Sequence, residues 1–159
     1  MSAGNLIHLS AAQPIAGSNA PQTTMTAVQV KKAEDGDVPG PVCIVDDDEW
    51  VTDSIATLLE LHGFSVRSFP SATHFLGDPR RDETQCLVID QHMPGIEGLD
   101  AVAALHRDAF FPPTILITGR LDAAISRRAD QLGVAAILEK PFPAARLVTL
   151  IRSLIEGRA

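Results

Sequence analysis

The sequence has no tyrosine, one tryptophan and only two cysteines among its 159 residues. So low a cysteine count excludes a disulfide-rich scaffold. Cys43 and Cys86 both lie inside short apolar runs. We therefore expect two buried thiols rather than a disulfide or a metal site.

Long apolar runs and positive charge are also lacking. No stretch reaches the roughly 18 apolar residues that a membrane span requires, and the N-terminus lacks the basic and apolar segments of a signal peptide. The net charge is −7, so no positive surplus attracts nucleic acid or an anionic membrane. We expect a cytoplasmic protein that contacts neither of these directly.

The residues that are present suffice for one domain, because 45% of them are hydrophobic and can fill a core. Residues 1–40 are rich in small and polar residues without periodicity, which predicts a disordered N-terminal tail. We expect residues 41–159 to form the domain.

Short apolar runs alternate with amphipathic segments from residue 41 onward. Five strands separated by helices predict a parallel sheet with helices on both faces. Along the first helix, the apolar residues fall mostly on one face, and Trp50 should pack on the first turn. The apolar residues are Val51, Ile55, Leu58, Leu59 and Leu61. The predicted strands are 41–45, 64–69, 85–90, 113–118 and 134–138, and the predicted helices are 49–62, 71–77, 99–108, 121–132 and 144–156.

An acidic block, Asp46-Asp47-Asp48-Glu49, directly follows the first strand. The carboxyl ends of strands are where open α/β sheets bind ligands. Crowded carboxylates repel one another unless a cation neutralises them, and oxygen ligands of this kind suit Mg²⁺. The alternative is a solvated acidic turn that caps the next helix.

Further polar residues follow the other strands and favour the first interpretation. Asp90 ends the third strand, Thr118 ends the fourth and Lys140 follows the fifth. Asp90 lies between an apolar strand and a Pro/Gly loop, and a carboxylate there can act as a nucleophile toward phosphorus. Thr118 and Lys140 would then contact phosphoryl oxygens.

The expected metal ligands come from two strand ends. Asp46, Asp47 and Asp90 would hold Mg²⁺ together with a backbone carbonyl, for which His92 is the expected source. The ion would clamp and neutralise phosphoryl oxygens.

Four motifs in this order resemble the receiver domain of bacterial two-component response regulators. The resemblance covers about residues 42–158 and implies a flavodoxin-like doubly wound sheet with strand order 2-1-3-4-5. The motifs are Val45-Asp46-Asp47-Asp48, Val88-Ile89-Asp90-Gln91-His92-Met93-Pro94 with Gly98, Ile117-Thr118-Gly119, and Lys140-Pro141-Phe142.

The resemblance implies that Asp90 accepts a phosphoryl group from a histidine kinase or histidine phosphotransferase, with Mg²⁺ as cofactor. It further implies that Thr118 is a switch residue, that Lys140 forms a salt bridge and that the peptide bond before Pro141 is cis. Such a module is not an enzyme, since it at most promotes its own phosphorylation and dephosphorylation. It would signal through protein contacts of residues 121–157, and a homodimer is one possible form.

Two departures leave alternatives open. Relatives often carry an aromatic residue where this chain has Ile137, which offers no hydroxyl to couple with Thr118. No effector domain follows residue 159, so we expect a stand-alone receiver with an unidentified downstream partner. The alternatives are a receiver-like binding module independent of phosphorylation and, less favoured because no substrate pocket is evident, a Mg²⁺-dependent phosphohydrolase.

Overall fold

Five apolar segments pair in parallel to form one sheet with the order β2-β1-β3-β4-β5. This order is the one predicted. The coordinates are a computed structural model that describes residues 39–157, so nearly all of the predicted tail lies outside the described residues. The strands are β1 Val42–Val45, β2 Val66–Phe69, β3 Cys86–Asp90, β4 Thr114–Thr118 and β5 Ala136–Glu139.

Helices cover both faces of the sheet, as predicted. The helices are α1 Glu49–Leu61, α2 Ala72–Leu76, α3 Gly98–Arg107, α4 Ala123–Gln131 and α5 Ala144–Glu156. One apolar cluster joins the sheet to α2, α3 and α4, and a second joins it to α1 and α5. No helix within residues 39–157 is both long enough and apolar enough to span a bilayer.

The three central strands are buried along their whole length, whereas β2 and β5 form the partly exposed edges. Burial on both faces explains why β1, β3 and β4 read as unbroken apolar runs. Cys43 and Cys86 lie in two of these strands, are buried and form no disulfide, as the sequence predicted.

The predicted second and fifth strands began two residues too early because their first apolar residues belong to helix ends. Gly63 and Gly133 have positive φ angles of 90° and 71°, which is typical of the residue after a helix. The next residue then caps the helix: Phe64 N–H donates to the Leu59 carbonyl at 3.1 Å, and Val134 N–H donates to that of Ala129 at 2.9 Å.

The expectations that Leu61 shares the apolar face of the first helix and that Trp50 packs on its first turn are wrong. Trp50 is 83% exposed and Leu61 is 80% exposed. Helix α1 directs Thr52 and Leu59 inward. Trp50 and Leu61 are eleven residues apart, close to three full helical turns, so both lie on the opposite, solvent-facing side.

The end of β3 is held tightly against the start of α3. Gly98 N–H donates to the Gln91 carbonyl at 3.1 Å, and Leu99 N–H donates to Gln91 Oε1 at 2.9 Å. A Cβ atom added to Gly98 would lie 2.6 Å from the Asp90 carbonyl oxygen. Only glycine therefore permits this approach, which fixes the backbone of Asp90.

Substitution Gly98→Ala should lower the free energy of unfolding by about 1–3 kcal/mol, the usual cost of overpacking. Urea unfolding followed by circular dichroism measures the change. Gly119→Ala is the matched control, because a Cβ atom there would meet nothing within 4 Å. Equal stability of the two variants would show that the start of α3 can shift away from the Asp90 carbonyl at no cost in free energy.

Candidate functional site

Three carboxylates meet at the carboxyl edge of the sheet. Asp46 follows β1 and Asp90 ends β3, and these strands are neighbours with Val45 paired to Ile89. Asp46 and Asp90 are only 4% and 5% exposed, while Asp47 is exposed. One oxygen from each of the three carboxylates lies within 4.8 Å of the others. We call this group the acidic cluster.

Burial and mutual repulsion disfavour ionisation of the two buried carboxyls. Loss of solvation raises the pKa of Asp46, and the Asp90 charge adds to this, although the Asp48 N–H donates to Asp46 Oδ1 at 2.9 Å and opposes it. Loss of solvation also raises the pKa of Asp90, against a lowering by Lys140. The acidic cluster therefore gains from any cation that enters it.

Lys140 supplies one positive charge to the acidic cluster. Its Nζ lies 3.1 Å from Asp90 Oδ1 and 3.8 Å from Asp46 Oδ2. Burial alone would lower the pKa of Lys140, but the hydrogen bond and charge of Asp90, with Asp46, raise it overall. The peptide bond between Lys140 and Pro141 is cis.

A divalent cation fits the charge and the donor atoms of this site. Three carboxylates share one ammonium group, so two negative charges are left unbalanced when all four groups are ionised. The available donors are oxygens, which Mg²⁺ prefers. The residues of the acidic cluster therefore suit the predicted metal.

Thr118 ends β4 and is fully buried. Its hydroxyl donates to the Arg120 carbonyl at 3.0 Å and accepts from the Arg120 N–H at 3.1 Å. The Thr118 carbonyl accepts from the Lys140 N–H at 2.9 Å. The hydroxyl therefore bonds to the loop after β4, and a turn toward Asp90 would break both of its hydrogen bonds.

His92 and Ile137 lie around this site without joining the acidic cluster. The His92 ring is half exposed, and its Nδ1 lies 3.8 Å from Glu97 Oε1. The ring therefore faces Glu97, and only the backbone carbonyl of His92 is a candidate metal ligand. Ile137 pairs with Leu116 in the sheet and packs against the apolar cluster that joins the sheet to α2, α3 and α4. It fills space there and offers no polar group.

Sequence reasoning assigned no role to two residues that position this site, Gln91 and Glu139. Gln91 ties β3 to α3 through both its backbone and its side chain. Glu139 Oε2 accepts the Leu121 N–H at 3.1 Å and so holds the loop after β4. The only sequence signal for Glu139 is its position directly before Lys140. That position does not reveal which backbone N–H its carboxylate accepts from.

The fold and the site together define a doubly wound α/β protein in which the acidic cluster, suited to binding a cation, lies beside a lysine. The family of the response regulator receiver domain matches residues 42–152. The chain is 37% identical over 119 residues to the transcriptional regulatory protein FixJ of Azorhizobium caulinodans, across 75% of this chain and 56% of the relative. It is 33% identical over 115 residues to the response regulator protein TodT of Pseudomonas putida F1, across 72% and 51% respectively.

The chain therefore belongs to the response regulator receiver domain family, whose members are phosphorylation-controlled signalling modules. Among solved structures, that of FixJ-N matches with a TM-score of 0.66 and 32% identity, over 74% of this chain and 94% of that one. The chemotaxis protein CheY4 of Vibrio cholerae, at 20% identity and a TM-score of 0.67 over 72% of this chain and 98% of that one, shares the fold. The chain spans about half the length of the curated relatives it matches.

Substitution Asp46→Asn should stabilise the protein at pH 7 without divalent ions, on the order of 1 kcal/mol. Asparagine keeps the acceptor for Asp48 N–H but removes a buried charge. Because the native pKa of Asp46 is raised above the unfolded value of roughly 3.9, its contribution to stability is present in acid and is lost as pH rises. The stability difference between variant and wild type should therefore grow from about pH 4 upward.

Urea unfolding across this pH range measures that difference. Asp53→Asn is the control, since Asp53 is an exposed carboxylate on α1. A variant less stable than wild type at pH 7 would show that the Lys140 charge outweighs the burial of Asp46.

Proposed function

We propose that Asp90 accepts a phosphoryl group from a histidine kinase or histidine phosphotransferase. One observation carries this proposal: Lys140 Nζ lies 3.1 Å from Asp90 Oδ1, beside two more carboxylates. That arrangement holds a nucleophilic oxygen next to a fixed positive charge, which is what transfer of a highly charged group requires.

In the proposed transfer an Asp90 oxygen attacks phosphorus. A P–O bond forms, the P–N bond to the donor histidine breaks, and the departing ring nitrogen keeps the bond's electron pair. Lys140 neutralises charge on the phosphoryl oxygens. Asp46, Asp47, Asp90 and the His92 carbonyl would hold Mg²⁺, which when bound clamps and neutralises phosphoryl oxygens.

The proposed switch is Thr118. When its hydroxyl turns to donate to a phosphoryl oxygen, it gives up both hydrogen bonds to Arg120 and frees residues 119–122, which lead into α4. Ile137 has no hydroxyl to move with it, so we propose that this loop carries the change. A phosphoryl group adds the charge and acceptors that such a rearrangement needs.

The proposed output is a protein contact made by residues 121–157, which we call the output surface. Its partner is either a second copy of the chain or a downstream protein. FixJ is named a transcriptional regulatory protein, but the net charge of −7 here favours protein over direct nucleic-acid contact. In this proposal the domain catalyses at most its own phosphorylation and dephosphorylation. We also propose that it acts in the cytoplasm.

Incubation with acetyl phosphate and Mg²⁺ should add one phosphoryl group to the wild-type protein, seen by intact-mass spectrometry and located at Asp90 by peptide mapping. Asp90→Asn should remain unmodified, and Lys140→Met should react more slowly because the phosphoryl charge is no longer balanced. Asp53→Asn should react normally. Modification of Asp90→Asn to the wild-type extent would refute the assignment of the acceptor.

Addition of Mg²⁺ should change the fluorescence of Trp50, the only tryptophan, because the ion alters the charge three residues away at Asp47. It should also raise the melting temperature, since binding to the native state alone stabilises it. Asp47→Asn should weaken both responses, and EDTA should reverse them. An unchanged Mg²⁺ titration in Asp47→Asn would exclude Asp47 as a ligand.

A further inference from the structure

A cavity of about 550 Å³ lies at the amino edge of the sheet, opposite the acidic cluster. Residues that precede β1, β3 and β4 line it, among them Asp82, Glu83, Gln85, Phe110 and Phe111. Gln85 and Asp90 lie at the two ends of β3, about 16 Å apart, so the cavity is separate from the proposed phosphoacceptor site. Small-molecule sites span about 300–1,000 Å³, and this cavity falls within that range.

One wall of the cavity is aromatic and is held by a rigid turn. Ala109 follows the end of α3 with a positive φ of 63°, a conformation that non-glycine residues rarely adopt. Phe110 then packs against the core, and Phe111 precedes two prolines that restrict its backbone. The Phe111 ring is 61% exposed, and its centroid lies 4.6 Å from that of the His106 ring. An exposed aromatic ring on a rigid turn loses little conformational freedom when it binds a ligand.

A second wall is acidic. Asp82 and Glu83 belong to a short 3-10 helix, Arg81–Glu83, and both are exposed. Their contacts with arginine are long, since Arg81 Nε lies 3.5 Å from Asp82 Oδ1 and Arg80 Nε lies 3.7 Å from Glu83 Oε1. Exposed pairs of this kind contribute little, and no lysine or arginine is among the residues that line the cavity. Both carboxylates therefore remain available to an entering cation.

The acidic wall is anchored to the sheet and to the end of α3. The Thr84 hydroxyl donates to the Arg81 carbonyl at 2.6 Å and lies 3.2 Å from Cys43 Sγ in β1. The Arg81 guanidinium donates to the Leu76 carbonyl at 2.9 Å and pairs with Asp108. Because Asp108 directly precedes the turn that carries the aromatic wall, the two walls are joined. The cavity is therefore formed before any ligand enters it.

Gln85 contributes an acceptor that has no partner. Its side-chain oxygen is buried, and no residue within 39–157 donates a hydrogen bond to it. A buried acceptor without a partner costs free energy, so an N–H donor in the cavity would remove that penalty once the amide turns toward it. Two carboxylates, an amide oxygen and an aromatic ring together favour a ligand that is positively charged, flat and rich in N–H groups.

We propose that this cavity binds a small organic cation that carries a planar guanidinium or amidinium group. The cation would stack on the Phe111 ring, donate to Asp82 and Glu83, and supply the hydrogen bond that Gln85 lacks. The inference does not rest on the proposed function, because none of these residues belongs to the acidic cluster or contacts Lys140.

Benzamidine is the probe, and benzamide is its neutral counterpart of nearly the same shape. Each is titrated into the full-length, ¹⁵N-labelled protein with saturating Mg²⁺, which fills the acidic cluster, and amide chemical shifts are followed by NMR. Benzamidine should shift the amide signals of residues 82–85 and 110–111, with a Kd on the order of 1 mM. Benzamide should bind at least about 10-fold more weakly, because it lacks the charge that the ring and carboxylates attract.

Two variants test the walls. Phe111→Ala should weaken benzamidine binding about 10-fold through loss of the stacking ring, and Glu83→Gln should weaken it about threefold through loss of one charge. Both side chains are exposed, so both variants should keep the wild-type circular dichroism spectrum. Trp50→Ala is the matched control, since it removes another exposed aromatic ring beside carboxylates at the opposite edge of the sheet. Its affinity for benzamidine should equal that of wild type.

Five results would overturn the proposal. They are equal affinity for benzamide and benzamidine, equal affinity of Phe111→Ala and wild type, amide shifts confined to the acidic cluster, no shift at concentrations well above the expected Kd, and an acetylated Gly-Arg-Gly peptide that binds more than about 10-fold tighter than benzamidine. The last result would assign the cavity to an arginine side chain of a protein partner instead of a small molecule.

Discussion

An unbalanced charge at the carboxyl edge of the sheet is the constraint on which the rest of the site depends. Asp46 and Asp90 are almost fully buried, Asp47 lies beside them, and Lys140 balances only one of the three negative charges. Such a site is costly to keep ionised without further positive charge. We therefore expect a cation bound there to stabilise the protein, and in the proposed function the site reacts with an incoming phosphoryl group.

The fold serves this constraint by holding the carboxylates still. Parallel strands bring their carboxyl ends to one edge, so residues 44 positions apart, Asp46 and Asp90, become neighbours. Gly98 and Gln91 then hold the end of β3 against α3. The loop after β4 is held by the hydrogen bonds of Thr118 and Glu139 and by Asp122, whose side chain accepts from the Ile125 N–H at the start of α4.

Both helical layers and the convergence of acids on one edge were predictable, because apolar runs and the residues that end them are local features of sequence. The strand order was implied by the resemblance to receiver domains and is confirmed. The starts of β2 and β5 were not predictable, since Phe64 and Val134 serve as helix caps despite their apolar character. The outward direction of Trp50 was also missed. Trp50 was expected to pack on the first turn of α1, although the helical period places it opposite the buried Leu59.

A crystal structure with Mn²⁺ in place of Mg²⁺ tests the central claim most directly, because anomalous scattering locates the ion without reference to activity. The account predicts a single peak within bonding distance of one oxygen from each of Asp46, Asp47 and Asp90, with Lys140 still beside Asp90. A peak elsewhere, or none between these carboxylates at saturating Mn²⁺, would contradict it.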